Sequence, residues 1–198
     1  MKKSMIVVDD FSPDALSIRD TVVAEGFGTE KGPDGLDYTG INQHQFPQLI
    51  ALLEKAVERK VLPRLSCFRL NLAGENPHSW IHSDDICAKY ASVLYLNLPG
   101  QCQGGTAFWT HTGLGIDRMP SAEDLKRAGY SESWFCTMMK REWNDLTFWK
   151  QNSFVGMKFN RFITYPTSLF HSRFPFDPFG TSAVDGRLIW VCFYDVIE

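Results

Sequence analysis

Residues 79–84 read Ser-Trp-Ile-His-Ser-Asp, and this short run contains His82 and Asp84. In an extended strand, residues two positions apart point to the same face. A strand here would therefore direct the His82 imidazole and the Asp84 carboxylate to one point, with Trp80 on the same face. Two imidazole nitrogens and one carboxylate oxygen form the facial triad that holds Fe(II) with open coordination positions. The pair predicts such a metal site once a second histidine joins it.

His171 is the histidine that we expect to complete the site. It lies 87 positions after Asp84, on a predicted strand directly before the last strand of the chain. His44 is in the amino-terminal region, His78 immediately precedes residues 79–84, and His111 stands in a Thr-His-Thr-Gly loop. Two other interpretations remain open, namely a structural hydrogen bond within the His-x-Asp pair and a core role for His171.

A single arginine opens the last predicted strand. Arg187 follows His171 by 16 positions and heads an otherwise apolar run. A buried arginine requires an anion, and a dicarboxylate co-substrate would supply one. Arg187 could instead cap a hairpin beside Asp185, and Arg173, which shares a face with His171, is the second candidate for the anion site.

The order His-x-Asp, distal His and Arg resembles the 2-oxoglutarate and Fe(II)-dependent oxygenases. Residues 90–97, 104–108 and 160–165 are similar to their prolyl-hydroxylase-like branch. The Gly-Gly-Thr at residues 104–106 is similar to a little-characterised bacterial subgroup. The resemblance covers about residues 60–196.

This resemblance implies a mainly β (α+β) fold, a double-stranded β-helix or cupin-like jelly roll with amino-terminal helices packed on one sheet. It implies that His82, Asp84 and His171 hold Fe(II), while 2-oxoglutarate and O2 take the remaining positions. Arg187, or Arg173 in its place, would bind the far carboxylate of 2-oxoglutarate.

Three other side chains fall near positions where related enzymes contact the co-substrate. They are Tyr90, Tyr95 and Asn97, and packing is the alternative role for the two tyrosines. The implied activity is hydroxylation of an unactivated C–H bond in an amino acid, a peptide residue or a small natural product. The alternatives are a demethylase with the same iron centre and a non-catalytic cupin-like module that binds a metal or ligand.

The length of 198 residues and the 44% hydrophobic content predict one packed domain over residues 1–198. We expect an amino-terminal strand and helices over residues 1–62 and a jelly-roll core over residues 63–198. A helical insertion over residues 113–149 would interrupt the core, either as a lid over substrate or as a cover on the outer face of the sheet. Residues 28–45 are rich in Gly, Asp and Thr and predict a loop.

Charge and cysteine content exclude several classes of protein. The net charge is −3 and no Lys/Arg stripe is present, so we expect no nucleic-acid partner, which disfavours a demethylase of nucleic acids. No apolar run is long enough to span a membrane. The five cysteines contain no Cys-x-x-Cys pair, so neither a disulfide framework nor a zinc knuckle is expected. These features favour a cytoplasmic enzyme with a small-molecule or peptide substrate, and they leave its oligomeric state open.

Overall fold

The structure is a computed structural model that describes residues 5–32, 35–75, 80–84 and 88–197. Within these ranges the chain forms ten β-strands and four α-helices. The strands are β1 (Ile6–Val8), β2 (Gly28–Lys31), β3 (Asp37–Asn42), β4 (Val61–Asn71), β5 (Tyr90–Tyr95), β6 (Gly105–His111), β7 (Trp149–Gly156), β8 (Phe162–Pro166), β9 (His171–Phe174) and β10 (Arg187–Val196). The helices are α1 (Ala15–Glu25), α2 (Pro47–Val57), α3 (Ala122–Arg127) and α4 (Glu132–Glu142).

Two antiparallel sheets pack face to face. The larger sheet has the strand order β1-β8-β5-β10-β4-β3-β2, and the smaller sheet has the order β7-β6-β9. Between them lies a buried cluster that includes Tyr95 and Ile189 from the larger sheet and Phe108 from the smaller one. This arrangement is a jelly roll, and it confirms the predicted fold class.

The amino-terminal helices pack on the outer face of the larger sheet. Ile18 and Val22 of α1 and Leu49 of α2 lie in one buried cluster with Phe68 and Trp190 of the sheet. In each helix, the apolar side chains three and four positions apart form the stripe that faces the sheet. The helices therefore occupy the side of the sheet opposite to the predicted metal ligands.

Helices α3 and α4 cover the outer face of the smaller sheet. Leu125 of α3 and Phe135 of α4 are buried against Ala107 and Trp109 of β6. Ser121 and Asp124 form a capping box at the start of α3. The buried side chains of the insertion thus agree with a cover on the sheet, the second of the two interpretations above.

A buried histidine–glutamate pair fastens α4 to β6. The backbone N–H of Leu114 donates to His111 Nδ1 at 3.2 Å, so the proton of a neutral imidazole lies on Nε2 and is donated to Glu142 Oε2 at 2.8 Å. Burial raises the pKa of Glu142, but hydrogen bonds from Arg141 and His111 outweigh it and lower the pKa overall. Glu142 is therefore a carboxylate at neutral pH.

Two regions differ from the sequence-based expectations. Residues 28–45 do not form the predicted loop. They contain β2 and β3, which extend one edge of the larger sheet. All four residues of β2 are exposed, so this strand lacks the apolar alternation by which strands are recognised. The strand predicted over residues 79–84 is a single β-bridge between His82 and His171 in the described part, and Ser79 lies outside the described residues.

The helices of the described residues do not reach the length and apolar character that crossing a membrane requires.

Candidate metal centre

Backbone hydrogen bonds hold the His-x-Asp segment beside β9. The N–H of His82 donates to the carbonyl of His171 at 3.0 Å, and the N–H of His171 donates to the carbonyl of His82 at 2.9 Å. The N–H of Asp84 donates to the carbonyl of Thr167 at 2.9 Å. The short segment therefore lies at the edge of the smaller sheet, next to the strand that carries the distal histidine.

The three predicted metal ligands converge. His171 Nε2 lies 3.0 Å from Asp84 Oδ2, and His82 Nε2 lies 3.7 Å from Asp84 Oδ1. One potential ligand atom from each residue falls within 4.8 Å of the other two. The His171 side chain is 6% exposed, whereas those of Asp84 and His82 are 24% and 36% exposed, so the cluster is open on one side.

Both histidines are oriented by carbonyl groups two residues earlier in the chain. Nδ1 of His82 lies 3.2 Å from the Trp80 carbonyl, and Nδ1 of His171 lies 2.8 Å from the Leu169 carbonyl. Because a carbonyl only accepts, each Nδ1 carries a proton, so Nε2 is the nitrogen of each ring that faces the cluster and would be the metal ligand. Such outer partners fix the tautomer and ring orientation in protein metal sites.

Electrostatics favour an ionised carboxylate in this cluster. Burial raises the pKa of Asp84, but His171 outweighs that effect and lowers it overall. Burial lowers the pKa of His171, but the Asp84 carboxylate raises it overall, while burial lowers the pKa of His82. Two imidazoles and one carboxylate directed at one point are the donor set expected for Fe(II) with open positions.

Arg187 is a buried cation on the inner face of β10. Its Nη1 donates to Asn71 Oδ1 at 3.1 Å, and no carboxylate of the described residues lies within 4.0 Å of its guanidinium. Burial lowers the pKa of Arg187 to about 10, although Tyr95 acts in the opposite direction. A buried charge without a counter-ion is costly, so this position favours the binding of an anion.

Arg173, the second candidate for an anion site, already has a carboxylate partner. Arg69 Nη2 lies 2.6 Å from Glu75 Oε1, and Arg173 Nη1 lies 3.5 Å from Glu75 Oε2. Asn71 Nδ2 donates to Glu75 Oε2 at 2.7 Å while its oxygen accepts from Arg187. Glu75 therefore neutralises part of the charge of Arg69 and Arg173, and Arg187 alone of these three arginines lacks a carboxylate.

Two tyrosines occupy the inner face of the larger sheet near the arginine and the histidines. Tyr95 is fully buried, and its hydroxyl lies 2.7 Å from Thr106 Oγ1. Tyr165 packs edge-on against His171, with ring centroids 4.9 Å apart, and burial and Asp84 raise its pKa well above the usual value. The sequence analysis did not single out Tyr165. It lies two positions after Ile163 on β8, so both side chains point to the inner face of the sheet.

The other two predicted co-substrate contacts have different surroundings. Tyr90 stacks on Tyr194 with centroids 5.5 Å apart, on the face that packs against the helices. Asn97 is buried, with Nδ2 donating to the Gly186 carbonyl at 2.7 Å and Oδ1 accepting from the Leu188 N–H at 2.9 Å. Tyr95 therefore lies on the same face of the sheet as Arg187, and Tyr90 lies on the opposite face. The side-chain amide of Asn97 hydrogen-bonds to the backbone.

Several solved structures resemble this chain at low sequence identity. The crystal structure of EctD from S. alaskensis with bound Fe matches with a TM-score of 0.51 at 12% identity, covering 98% of this chain and 73% of that chain. The non-heme alpha ketoglutarate dependent epimerase SnoN from nogalamycin biosynthesis matches with a TM-score of 0.49 at 13% identity, covering 98% and 78%. AviO1 from Streptomyces viridochromogenes Tue57 matches with a TM-score of 0.46 at 12% identity, covering 92% and 85%.

No curated protein matches the sequence. A family model described as a family of unknown function, DUF6445, matches residues 70–193. The matched region contains His82, Asp84, His171 and Arg187 and makes up more than half of the chain. This protein therefore belongs to the DUF6445 family.

Proposed function

We propose that this protein is an Fe(II)- and 2-oxoglutarate-dependent dioxygenase that hydroxylates an unactivated C–H bond of an amino acid, a peptide residue or a small natural product. The observation that carries the proposal is the pairing of an open His-Asp-His cluster with a buried arginine that lacks a carboxylate. EctD, which shares the fold, has bound Fe in its structure. With Fe(II) bound, such a site couples oxidative decarboxylation of 2-oxoglutarate to oxidation of a substrate.

In this proposal His82, Asp84 and His171 hold the metal ion. The two Nδ1–H groups are engaged by backbone carbonyls, so both rings are already turned with Nε2 toward the metal position. The Asp84 carboxylate supplies the third ligand and one negative charge. All three donors come from β9 and the segment bonded to it, and a metal held by three protein ligands would keep open positions for co-substrate and O2.

Arg187 binds the far carboxylate of 2-oxoglutarate in this proposal. Its guanidinium offers a planar fork of donors, of which one is used by Asn71. Tyr95, which is fully buried, and Tyr165, whose ring centroid lies 4.9 Å from that of His171, belong to the buried cluster between the two sheets. An ion pair between Arg187 and a carboxylate would be stronger beside such a buried cluster than in water, because the local dielectric constant is lower.

Oxygen-dependent formation of succinate tests the proposal. The protein is loaded with Fe(II) without oxygen, mixed with 2-oxoglutarate and a panel of amino acids and peptides, and then exposed to air. We expect succinate in stoichiometric amount with an oxidised product, and none from His171→Ala. His44→Ala is the matched control, because His44 is half-exposed and pairs with Glu25 at 2.7 Å in the amino-terminal region.

Two alternative functions give different results in the same assay. A demethylase would release formaldehyde from an N-methylated substrate together with succinate. A non-catalytic binding module would bind the metal and 2-oxoglutarate without consuming oxygen, and that outcome would refute the proposed enzymatic function.

A further inference from the structure

We propose that Asn97 is a positioning residue for Arg187, holding the backbone on both sides of it so that the guanidinium is fixed before an anion arrives. The proposal rests on the proposed function, because it concerns the residue taken to bind the far carboxylate of 2-oxoglutarate. It differs from the role expected from the sequence, in which the Asn97 amide itself contacts the co-substrate.

The two hydrogen bonds of Asn97 reach the two peptide groups that flank the Arg187 Cα. Its Nδ2 donates to the Gly186 carbonyl at 2.7 Å, and its Oδ1 accepts from the Leu188 N–H at 2.9 Å. Asn97 is 1% exposed, so neither bond competes with bulk water. β4 pairs with β10 on one side of Arg187, and on the other side the Asn97 side chain takes the place of a neighbouring strand, because β5 ends at Tyr95 opposite Ile189.

The chain before Arg187 gives a reason why this support is needed. Residues 180–186 form a turn, in which Asp185 Oδ1 accepts from the backbone N–H groups of Thr181 and Ser182. Arg187 is the first residue of β10 and follows this turn directly. Gly186 fits there because a Cβ atom would lie 2.5 Å from Leu72 Cδ2.

The far end of the arginine is held separately. Arg187 Nη1 donates to Asn71 Oδ1 at 3.1 Å, and Asn71 is in turn oriented by its bond to Glu75. Asn97 holds the backbone of Arg187, and Asn71 holds its guanidinium. The orientation of the remaining N–H donors of Arg187 is therefore restricted. Less conformational freedom is then lost when a carboxylate binds, which is the general benefit of a preorganised site.

Loss of the Asn97 amide should therefore weaken the binding of 2-oxoglutarate more than that of the metal. For Asn97→Asp, which keeps an acceptor for Leu188 but places a carboxylate against the Gly186 carbonyl, we expect roughly a tenfold rise in the Kd for this co-substrate. The same rise is expected in the co-substrate KM during turnover, with kcat at saturation close to wild type. Asn97→Ala should act in the same direction.

The test measures 2-oxoglutarate binding to the protein loaded with Mn(II) under nitrogen, beside Mn(II) affinity and thermal unfolding. Ser92→Ala is the matched control. Ser92 is fully buried on β5, and its Oγ donates to the Cys192 carbonyl at 3.1 Å, between the same two strands but away from Arg187. This control variant should lower the unfolding temperature without changing the Kd for the co-substrate.

A double-mutant cycle separates positioning from general stability. If Asn97 acts through Arg187, Asn97→Asp should weaken 2-oxoglutarate binding in the wild-type background and add almost nothing in the Arg187→Ala background. An equal effect in both backgrounds, or an unchanged Kd in Asn97→Asp, overturns the inference and leaves the proposed function intact. An unchanged Kd in Arg187→Ala overturns the assignment of Arg187, and the inference with it.

Discussion

His82 and His171 hydrogen-bond to each other through both of their backbone groups, at 3.0 and 2.9 Å. Their rings lie side by side with centroids 4.7 Å apart. Because this one bridge sets the spacing of the two imidazoles, the geometry of the proposed metal site depends on the smaller sheet and not on the metal. The site should therefore survive in the metal-free protein.

Removing either imidazole should strongly weaken metal binding without unfolding the chain. The bridge between the two histidines uses backbone atoms only, so His82→Ala keeps it. We expect the affinity for Fe(II) or Co(II) to fall by more than the roughly 100-fold that loss of an outer partner of a ligand can cause. Metal titration followed by absorption measures the affinity, and circular dichroism shows whether the chain remains folded. His44→Ala should change neither, and normal metal affinity in His82→Ala would contradict the ligand assignment.

Arg187→Ala should raise the concentration of 2-oxoglutarate required for turnover by roughly 100-fold, the scale expected for loss of one partner of a buried ion pair. Arg187→Lys should restore only part of the affinity, because a lysine lacks the planar fork. Arg173→Ala is the comparison, and its effect on the co-substrate requirement should be smaller because Arg173 is already paired with Glu75. The reverse order of the two effects would move the anion site to Arg173.

Glu75→Gln should destabilise the fold, because Glu75 joins an arginine of each sheet. Arg69 belongs to β4 and Arg173 to β9, and both lose their counter-ion in this variant. These side chains are partly exposed, so we expect the free energy of unfolding to fall by about 1–3 kcal/mol, which is less than for a fully buried ion pair. Chemical denaturation measures this free energy of unfolding. Glu123→Gln is the control, because the exposed Glu123–Arg127 pair should contribute little to stability. Equal stability of the two variants would show that the contacts of Glu75 with the two arginines do not stabilise the fold.

Glu142 should make stability depend on pH in the acid range. Its pKa in the folded protein lies below the usual value of 4.5, with burial opposed and outweighed by Arg141 and His111. The carboxylate therefore stabilises the fold above that value, and the stabilisation is lost as the pH falls toward the lower folded pKa. We expect the unfolding temperature of wild type to fall more steeply below about pH 4.5 than that of Glu142→Gln. Parallel curves for the two proteins would contradict this prediction.

The fold was predictable where apolar residues repeat at regular spacing. The sequence predicts the start of β10, because Arg187 follows Gly186 and heads a largely apolar run that continues along the strand. It misses β2, whose side chains are all exposed and whose strand character comes only from pairing with β3. Hydrophobic patterns report burial, and an exposed edge strand leaves no such pattern.

The candidate site was predictable only in part, for a similar reason. His82 and Asp84 share a face by local geometry, so their convergence follows from two neighbouring positions. Glu75 and Asn71 were not predicted as partners of the arginines, because their contacts join β4 to β9 and β10 across long distances in the chain. The same holds for Asn97, whose partners on either side of Arg187 are revealed only by the pairing of β5 with β10.

The carbonyl groups that orient the two imidazoles also bear on which metal the protein acquires. Each ring is held by a carbonyl two residues earlier in its own segment, so the donors are presented in one arrangement whatever ion arrives. Two imidazoles and a carboxylate do not discriminate against ions later in the Irving–Williams series, which bind such ligands more tightly than Fe(II). Protein purified in air should therefore carry Zn(II), Ni(II) or Cu(II), and iron occupancy in the cell would be decided by the supply of metals.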